Sequence, residues 1–133
     1  MTTAADPNTA IETLYSQWIS AFQHRDVEAI LALVTPDYLL WAPGAPPLVG
    51  REVLRPMLAA ALAKAAVVPA FELEERIVSG DVAVDRGWDV QRVLPSDGSA
   101  ERVQRQRVMM VLRRDAAGTW RFARGMSQPG PMP

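Results

Sequence analysis

The sequence predicts one α+β domain, with helices in its first half and a curved antiparallel sheet after them. Three observations predict it. Apolar residues recur at spacings of three and four in the N-terminal part, which is the helical period. From Phe71 onward they recur at every second position, which is the strand period. The strand-like runs are separated by short segments rich in turn residues, so successive strands form hairpins. Helices followed by strands, rather than alternating with them, is the order of the α+β class.

Asp6-Pro7 reads as a helix start, a capping carboxylate followed by proline at the first helical position. Ile11, Leu14, Tyr15, Trp18, Ile19 and Phe22 then form one apolar stripe. His24-Arg25-Asp26 interrupts it, and Asp26 can cap a second, shorter helix that buries Ile30, Leu31 and Val34 and stops at Thr35-Pro36. Tyr38 to Trp41 is a short strand candidate. Ala42 to Gly50 holds three prolines and two glycines and reads as loop. Arg51 to Ala65 is a third helix, with Pro56 awkward inside it. Segments 71–78, 82–94, 102–113 and 119–127 read as strands, joined by Ser79-Gly80-Asp81, Pro95 to Ser99, and Asp115 to Gly118. Residues 1–127 make one domain in this reading, and 128–133 a frayed tail.

Composition narrows the function classes. A chain of 133 residues, 49% hydrophobic, suits one core, since halves of it would each bury little. Its net charge of −1 gives no field to draw nucleic acid or an anionic membrane. Arginines outnumber lysine thirteen to one, from which no function is read. The absence of cysteine excludes disulfides, thiolate metal sites and cysteine nucleophiles. The lone histidine, His24, cannot make a multi-histidine metal site, and no cofactor is expected. Met1 to Asp6 lacks the pattern of a signal peptide, and no apolar run reaches the roughly 18 residues of a membrane helix. A cytoplasmic location is the expectation.

Several segments, in order and at familiar spacings, resemble the nuclear transport factor 2-like (SnoaL-like) superfamily. They are Trp18 to Asp26, Ala29 to Leu33, Gly50-Arg51-Glu52, Gly80-Asp81-Val82-Ala83, Arg113-Arg114-Asp115 and Gly118-Thr119-Trp120. Together they span about residues 10–127. The resemblance implies a cystatin-like sheet wrapped around a cone-shaped pocket that the helices partly close. It also implies frequent dimers through the outer sheet face. Members include isomerases, cyclases, dehydratases, epoxide hydrolases and non-catalytic binders, so the fold leaves function open.

A two-residue loop at Gly80-Asp81 would set Ser79 opposite Val82. One face of that hairpin then carries Ile77 with Val84, Glu75 with Arg86, and Leu73 with Trp88. The other carries Arg76 with Asp85, Glu74 with Gly87, and Glu72 with Asp89. The second face is almost wholly charged and is expected toward water, the first toward the pocket. Glu75 and Arg86 thereby become the candidate catalytic pair. Two readings stand. The pair is a solvated ion pair at the rim, worth under about 1 kcal/mol. Or it lines the pocket, the arginine binding a ligand oxygen and the glutamate holding it or acting as base.

On the next strand Gln104, Gln106, Val108, Met110 and Leu112 alternate with a charged set, so they are expected inside. That alternation requires a loop of odd length around Asp97-Gly98. Gln104 and Gln106 are candidate hydrogen-bonders, and Trp18, Tyr38, Trp88 and Met110 candidate walls. Tyr15 and Trp18 on the helical stripe could equally be core. His24 is expected exposed, and Arg51 to start a helix rather than meet a ligand.

Ketosteroid isomerase, within the same resemblance, needs an aspartate base and an oxyanion hole of tyrosine and neutral aspartic acid. The matching positions here hold Trp18 for the tyrosine, Ala42 for the base and Met110 for the second acid. That route is therefore not expected. An epoxide-hydrolase set would need a second acid beside Glu75 and Arg86. The functional expectation is a small, largely apolar organic ligand with a polar oxygen, bound for isomerisation, cyclisation, dehydration or hydrolysis in secondary metabolism. The alternatives are a binder without turnover and a protein-interaction module. In the last hairpin a four-residue loop, Asp115 to Gly118, would turn Met109, Val111, Trp120 and Phe122 outward, an apolar patch suited to a homodimer. An odd loop would instead turn Trp120, Phe122 and Met126 inward, leaving a narrower cavity and no outer patch.

Overall fold

Both N-terminal helices begin on aspartate caps. The computed structural model describes residues 6–130. In α1 (Pro7–Gln23) the Asp6 carboxylate accepts from the Asn8 amide at 3.4 Å. In α2 (Val27–Leu31) Asp26 accepts from the Ala29 amide at 3.0 Å. Each cap satisfies an amide that has no partner inside the helix. There follow β1 (Val34–Trp41), β2 (Leu48–Val49), α3 (Arg51–Lys64), β3 (Ala65–Ser79), β4 (Val82–Pro95), β5 (Arg102–Arg114) and β6 (Trp120–Pro129). No helix among the described residues is long and apolar enough to cross a membrane.

The six strands form one sheet in the order β2-β1-β6-β5-β4-β3. From β3 to β6 it is the expected meander of antiparallel hairpins. The sheet as a whole is mixed, because β1 runs parallel to β6. More than half of the chain separates those two strands, so no hairpin fixes their relative direction. β3 starts at Ala65, earlier than the alternation suggests, and includes Pro69. It is an edge strand, where proline's missing N–H costs no ladder bond. β6 runs through Pro129, into the segment expected to be frayed; residues 131–133 lie outside those described.

Two hairpins depart from their expected faces. Ser79 opposes Val82 and Glu75 opposes Arg86, as predicted. Yet Arg76 and Asp85 point inward, and Asp85 is completely buried, while Ile77 is 57% exposed on the outer face. A charged face can be the inner one here because Arg76 and Asp85 neutralise each other there. Beyond that pair the register slips at Glu74, so that Leu73 opposes Gly87 and Phe71 opposes Asp89. This bulge moves β3 from even to odd inward positions, and Phe71 joins the interior. A Cβ on Gly87 would lie 2.0 Å from the Glu72 carbonyl oxygen, so only glycine fits beside the bulge.

In β5 the expected inner set is inward, with Leu112 fully buried. Because β4 presents its odd positions, the β4–β5 loop is of even length, with Val93 opposite Arg102. The last hairpin takes the odd loop. Arg114 opposes Trp120, and the Asp115 carboxylate accepts from the amides of Ala117 and Thr119 within the loop. Trp120 and Phe122 are therefore core residues, 4% and 2% exposed, and not part of an outer patch. Only Met109 and Val111 of the expected patch face outward. The core joins α1, β1 and β6 around Ile11, Leu14, Val34 and Phe122.

Candidate functional site

Between the helices and the inner sheet face lies a cavity of about 360 Å³. That is the lower range of small-molecule sites. The α1 stripe supplies Tyr15, Trp18 and Phe22, β1 supplies Tyr38, β3 supplies Phe71 and β6 supplies Phe122. Every tyrosine and phenylalanine of the chain thus lines it. Leu54, Leu58 and Leu62 of α3 close the side opposite the sheet.

The polar groups are few. Asp89, Gln91 and Gln106 come from adjacent strands, Asp89 directly opposite Gln106, and Ser127 comes from β6. Asp89 is the one charged side chain among the lining residues described. Burial raises its carboxyl to a pKa of about 6, partly opposed by the Gln91 amide, which donates to it at 3.1 Å. The Tyr38 phenol is pushed up to about 12, by burial first and then by the Asp89 charge. Its ring is buried, and no hydrogen bond to its hydroxyl among the described residues enters that shift. A Cβ on Gly125 would sit 2.9 Å from that hydroxyl, so the glycine leaves room for it. Tyr15 differs. Its hydroxyl is taken up by Asp85 at 2.9 Å, and burial, then the Asp85 charge, hold it protonated far above its ordinary range.

The residues expected at the site fall into two groups. Trp18, Tyr38, Gln106 and Met110 all line the cavity. So does Ala42, and no carboxylate stands at Ala42 or Met110. Glu75, Arg86, Trp88 and Gln104 do not line it. Glu75 and Arg86 are bonded at 3.1 Å, but on the outer face and about half exposed, with Glu74 also on the arginine at 3.0 Å. They belong to the solvated surface, because β3 and β4 present the opposite face from the one expected. Trp88 lies on that outer face too, under the Arg105 guanidinium at 4.2 Å. Gln104 is exposed at the loop end of β5, opposite Gln91. His24 is exposed, as expected. Sequence reasoning missed Asp89 and Gln91, which share a face with Asp85 at two-residue spacing. Among the described residues no group of three or more His, Asp or Glu could hold a metal ion.

The SnoaL-like domain family matches residues 15–123, which contain the α1 stripe, the cavity-lining strands and Asp89. The chain belongs to the SnoaL-like domain family. Solved structures of the same shape include a conserved protein from Planctomyces limnophilus, 25% identical at a TM-score of 0.85, covering 92% of this SnoaL-like chain and 97% of that one. A ketosteroid isomerase-like protein from Erwinia carotovora atroseptica is 24% identical at 0.78, with coverages of 96% and 99%. A proposed scytalone dehydratase from Novosphingobium aromaticivorans is 14% identical at 0.80, with coverages of 93% and 84%. The last two likenesses are of fold alone. No curated protein matches this SnoaL-like chain in sequence.

Proposed function

We propose that this chain binds a small, uncharged, largely apolar organic molecule and moves a proton on it, with Asp89 as general base. One observation carries the reading: among the described residues Asp89 is the one carboxyl lining an aromatic cavity, where burial pushes it up to about 6. A base is most effective when its pKa lies near the working pH, and burial is how a carboxylate is brought there. Among the described residues no lining cation would offset a carboxylate or phosphate on the ligand, so a neutral molecule suits the cavity.

The step follows from the groups present. Asp89 takes a proton from a carbon beside a carbonyl, and the C–H electron pair becomes a C=C bond while the carbonyl oxygen takes the negative charge. Tyr38, protonated at neutral pH and free to donate, hydrogen-bonds that oxygen. Returning the proton to a different carbon completes an isomerisation. Returning it to a departing hydroxyl group releases water and completes a dehydration.

The test is deuterium exchange beside the carbonyl of small cyclic ketones and enones in D2O, followed by proton NMR. Exchange above background is expected, low below pH 5, half-maximal near 6 and level above 7, because the deprotonated carboxylate is the active form. Ketones that bind without any exchange would leave a ligand-binding protein without turnover and sink the proton-transfer reading.

We also propose that two copies pair through the outer sheet face. Trp41, Met126 and Met109 are neighbours across β1, β6 and β5, and are 52%, 44% and 44% exposed. Val111, Val84 and Ile77 form the next outward row. The glutamates on this face are already paired within the chain, Glu74 and Glu75 with Arg86 and Glu72 with Arg105, so the apolar rows are what a partner would cover. A two-fold axis along the strands would lay these rows of one copy over those of the other. Sedimentation velocity at tens of micromolar should give a dimer, and Met109→Glu with Trp41→Glu a folded monomer. A wild-type monomer at that concentration removes the interface.

A further inference from the structure

We propose that the buried cluster of Arg76, Asp85 and Tyr15 is a positioning device for the cavity: it fixes the Tyr15 ring against Phe71, and the stacked pair forms the wall that keeps water from Asp89. The proposal rests on the reading of Asp89 as the base.

The cluster is closely bonded. Arg76 donates from Nε and from a terminal nitrogen to the two Asp85 oxygens, each at 2.8 Å, and the Tyr15 hydroxyl donates to Oδ2 at 2.9 Å. Arg76 also meets Glu12, one turn before Tyr15 on α1, at 3.0 Å. The Tyr15 ring extends from this anchor into the cavity lining. There it stacks on Phe71 at 4.7 Å between centroids, 18° from parallel, and meets the Phe122 edge at 5.1 Å. Phe71 in turn is the residue directly opposite Asp89 across β3 and β4. Asp85 and Asp89 share the inner face of β4, and Gly87, between them, has no side chain. The hydrogen bond and the ring of one tyrosine therefore join the cluster at Asp85 to the wall opposite Asp89.

Two features separate this role from that of a plain helix anchor. Pinning α1 to the sheet is already served by Arg76 with Glu12, whose carboxylate is largely solvated. Asp85 already has two bonds from Arg76, so the Tyr15 O–H is not needed to neutralise it; what it adds is one fixed ring orientation. Tyr15 stays protonated at any working pH and so acts as a donor, never as an acid or base. The ionisable groups around Asp89 are Tyr15 from α1 and Tyr38 from β1; α3, β3, β5 and β6 put none into the lining.

The test is a carbon-13 NMR titration of the aspartate carboxyl carbons in the full chain, with the Asp89 signal assigned from its loss in Asp89→Asn. The wild-type midpoint is expected near 6. Tyr15→Phe keeps the ring and removes the O–H, and should lower that midpoint by about one unit as water reaches the carboxylate. Phe71→Leu, which leaves the ion-pair cluster intact, should lower it as well. The double variant should fall no further than Phe71→Leu alone, because Tyr15 acts through Phe71. Glu12→Gln, which loosens the helix anchor only, should leave the midpoint unmoved even where the melting temperature drops. An unmoved midpoint in Tyr15→Phe, additive shifts in the double variant, or an equal shift in Glu12→Gln each overturns the relay. A wild-type midpoint near 4 instead overturns the reading of Asp89 as a raised base, so the two failures are distinguishable.

Discussion

Asp85→Ala is expected to destabilise the folded chain by about 3–5 kcal/mol, the range for removing one partner of a buried ion pair. Asp85 is completely buried, and the Arg76 side chain is only 6% exposed. The substitution leaves a guanidinium with half its neutralisation and the Tyr15 hydroxyl with no acceptor. Glu12 remains as a largely solvated partner for Arg76, which favours the lower end of the range. For a domain of this size the melting temperature should fall by roughly 10–20 °C. Arg86→Ala gives the contrast. Its pair with Glu75 and Glu74 is about half exposed, so its loss should cost about 0–1 kcal/mol. Asp85→Leu combined with Arg76→Met should recover most of the single-variant loss, since an apolar pair of similar volume needs no partner. Equal, small costs for Asp85→Ala and Arg86→Ala in thermal melts would mean that the two faces of the hairpin are not distinguished as the structure has them.

These two ion pairs also show how far the sequence could be read. The Gly80-Asp81 turn fixed the pairing from Ser79–Val82 to Glu75–Arg86 correctly, because a two-residue loop allows one register. It did not say which face is inner. Counting charges chose wrongly, since opposed charges of opposite sign can be buried together when a helix supplies a further hydrogen bond, here from Tyr15. The bulge at Glu74 was invisible as well. No residue pattern marks it except Gly87, whose lack of a side chain accommodates the Glu72 carbonyl. At the last hairpin the even and odd loops were both compatible with the residues. The odd one is set by Asp115, whose carboxylate bonds two loop amides, and by the space for Trp120 and Phe122 beneath α1.

The cavity was legible where a single period decided it. The α1 stripe placed Trp18, and the uncharged alternation in β5 placed Gln106 and Met110, whatever their neighbours did. Gln104 follows the same alternation and still fails, because inward parity does not say how far along the strand the cavity extends. Asp89 and Gln91 inherited the error in the face of β4: once Asp85 is turned inward, they follow at every second position.

Asp89→Asn is expected to have opposite effects on turnover and stability. Turnover should fall by about 100- to 10,000-fold, the usual contribution of a positioned general base. The side chain keeps its shape, and an amide oxygen can still accept from Gln91, so the fold should persist. Stability should move the other way. The folded-state pKa of Asp89, about 6, stands above its ordinary value of 3.8, so the folded chain holds this proton more tightly than the unfolded one. The stability it contributes is therefore complete below about pH 4 and is lost as pH rises through 6. At pH 7 the buried carboxylate costs up to about 3 kcal/mol, two pKa units at about 1.4 kcal/mol each. Asparagine has no charge to bury, so the variant should be more stable than wild type by about 1–3 kcal/mol at pH 7 and about equal to it at pH 4. Denaturant melts at the two pH values measure this directly. A variant that loses stability at pH 7 would mean that the carboxylate is held by favourable contacts, which is the mark of a structural residue. A gain at pH 7 that disappears at pH 4 is what a carboxylate kept in an apolar cavity for its reactivity must give.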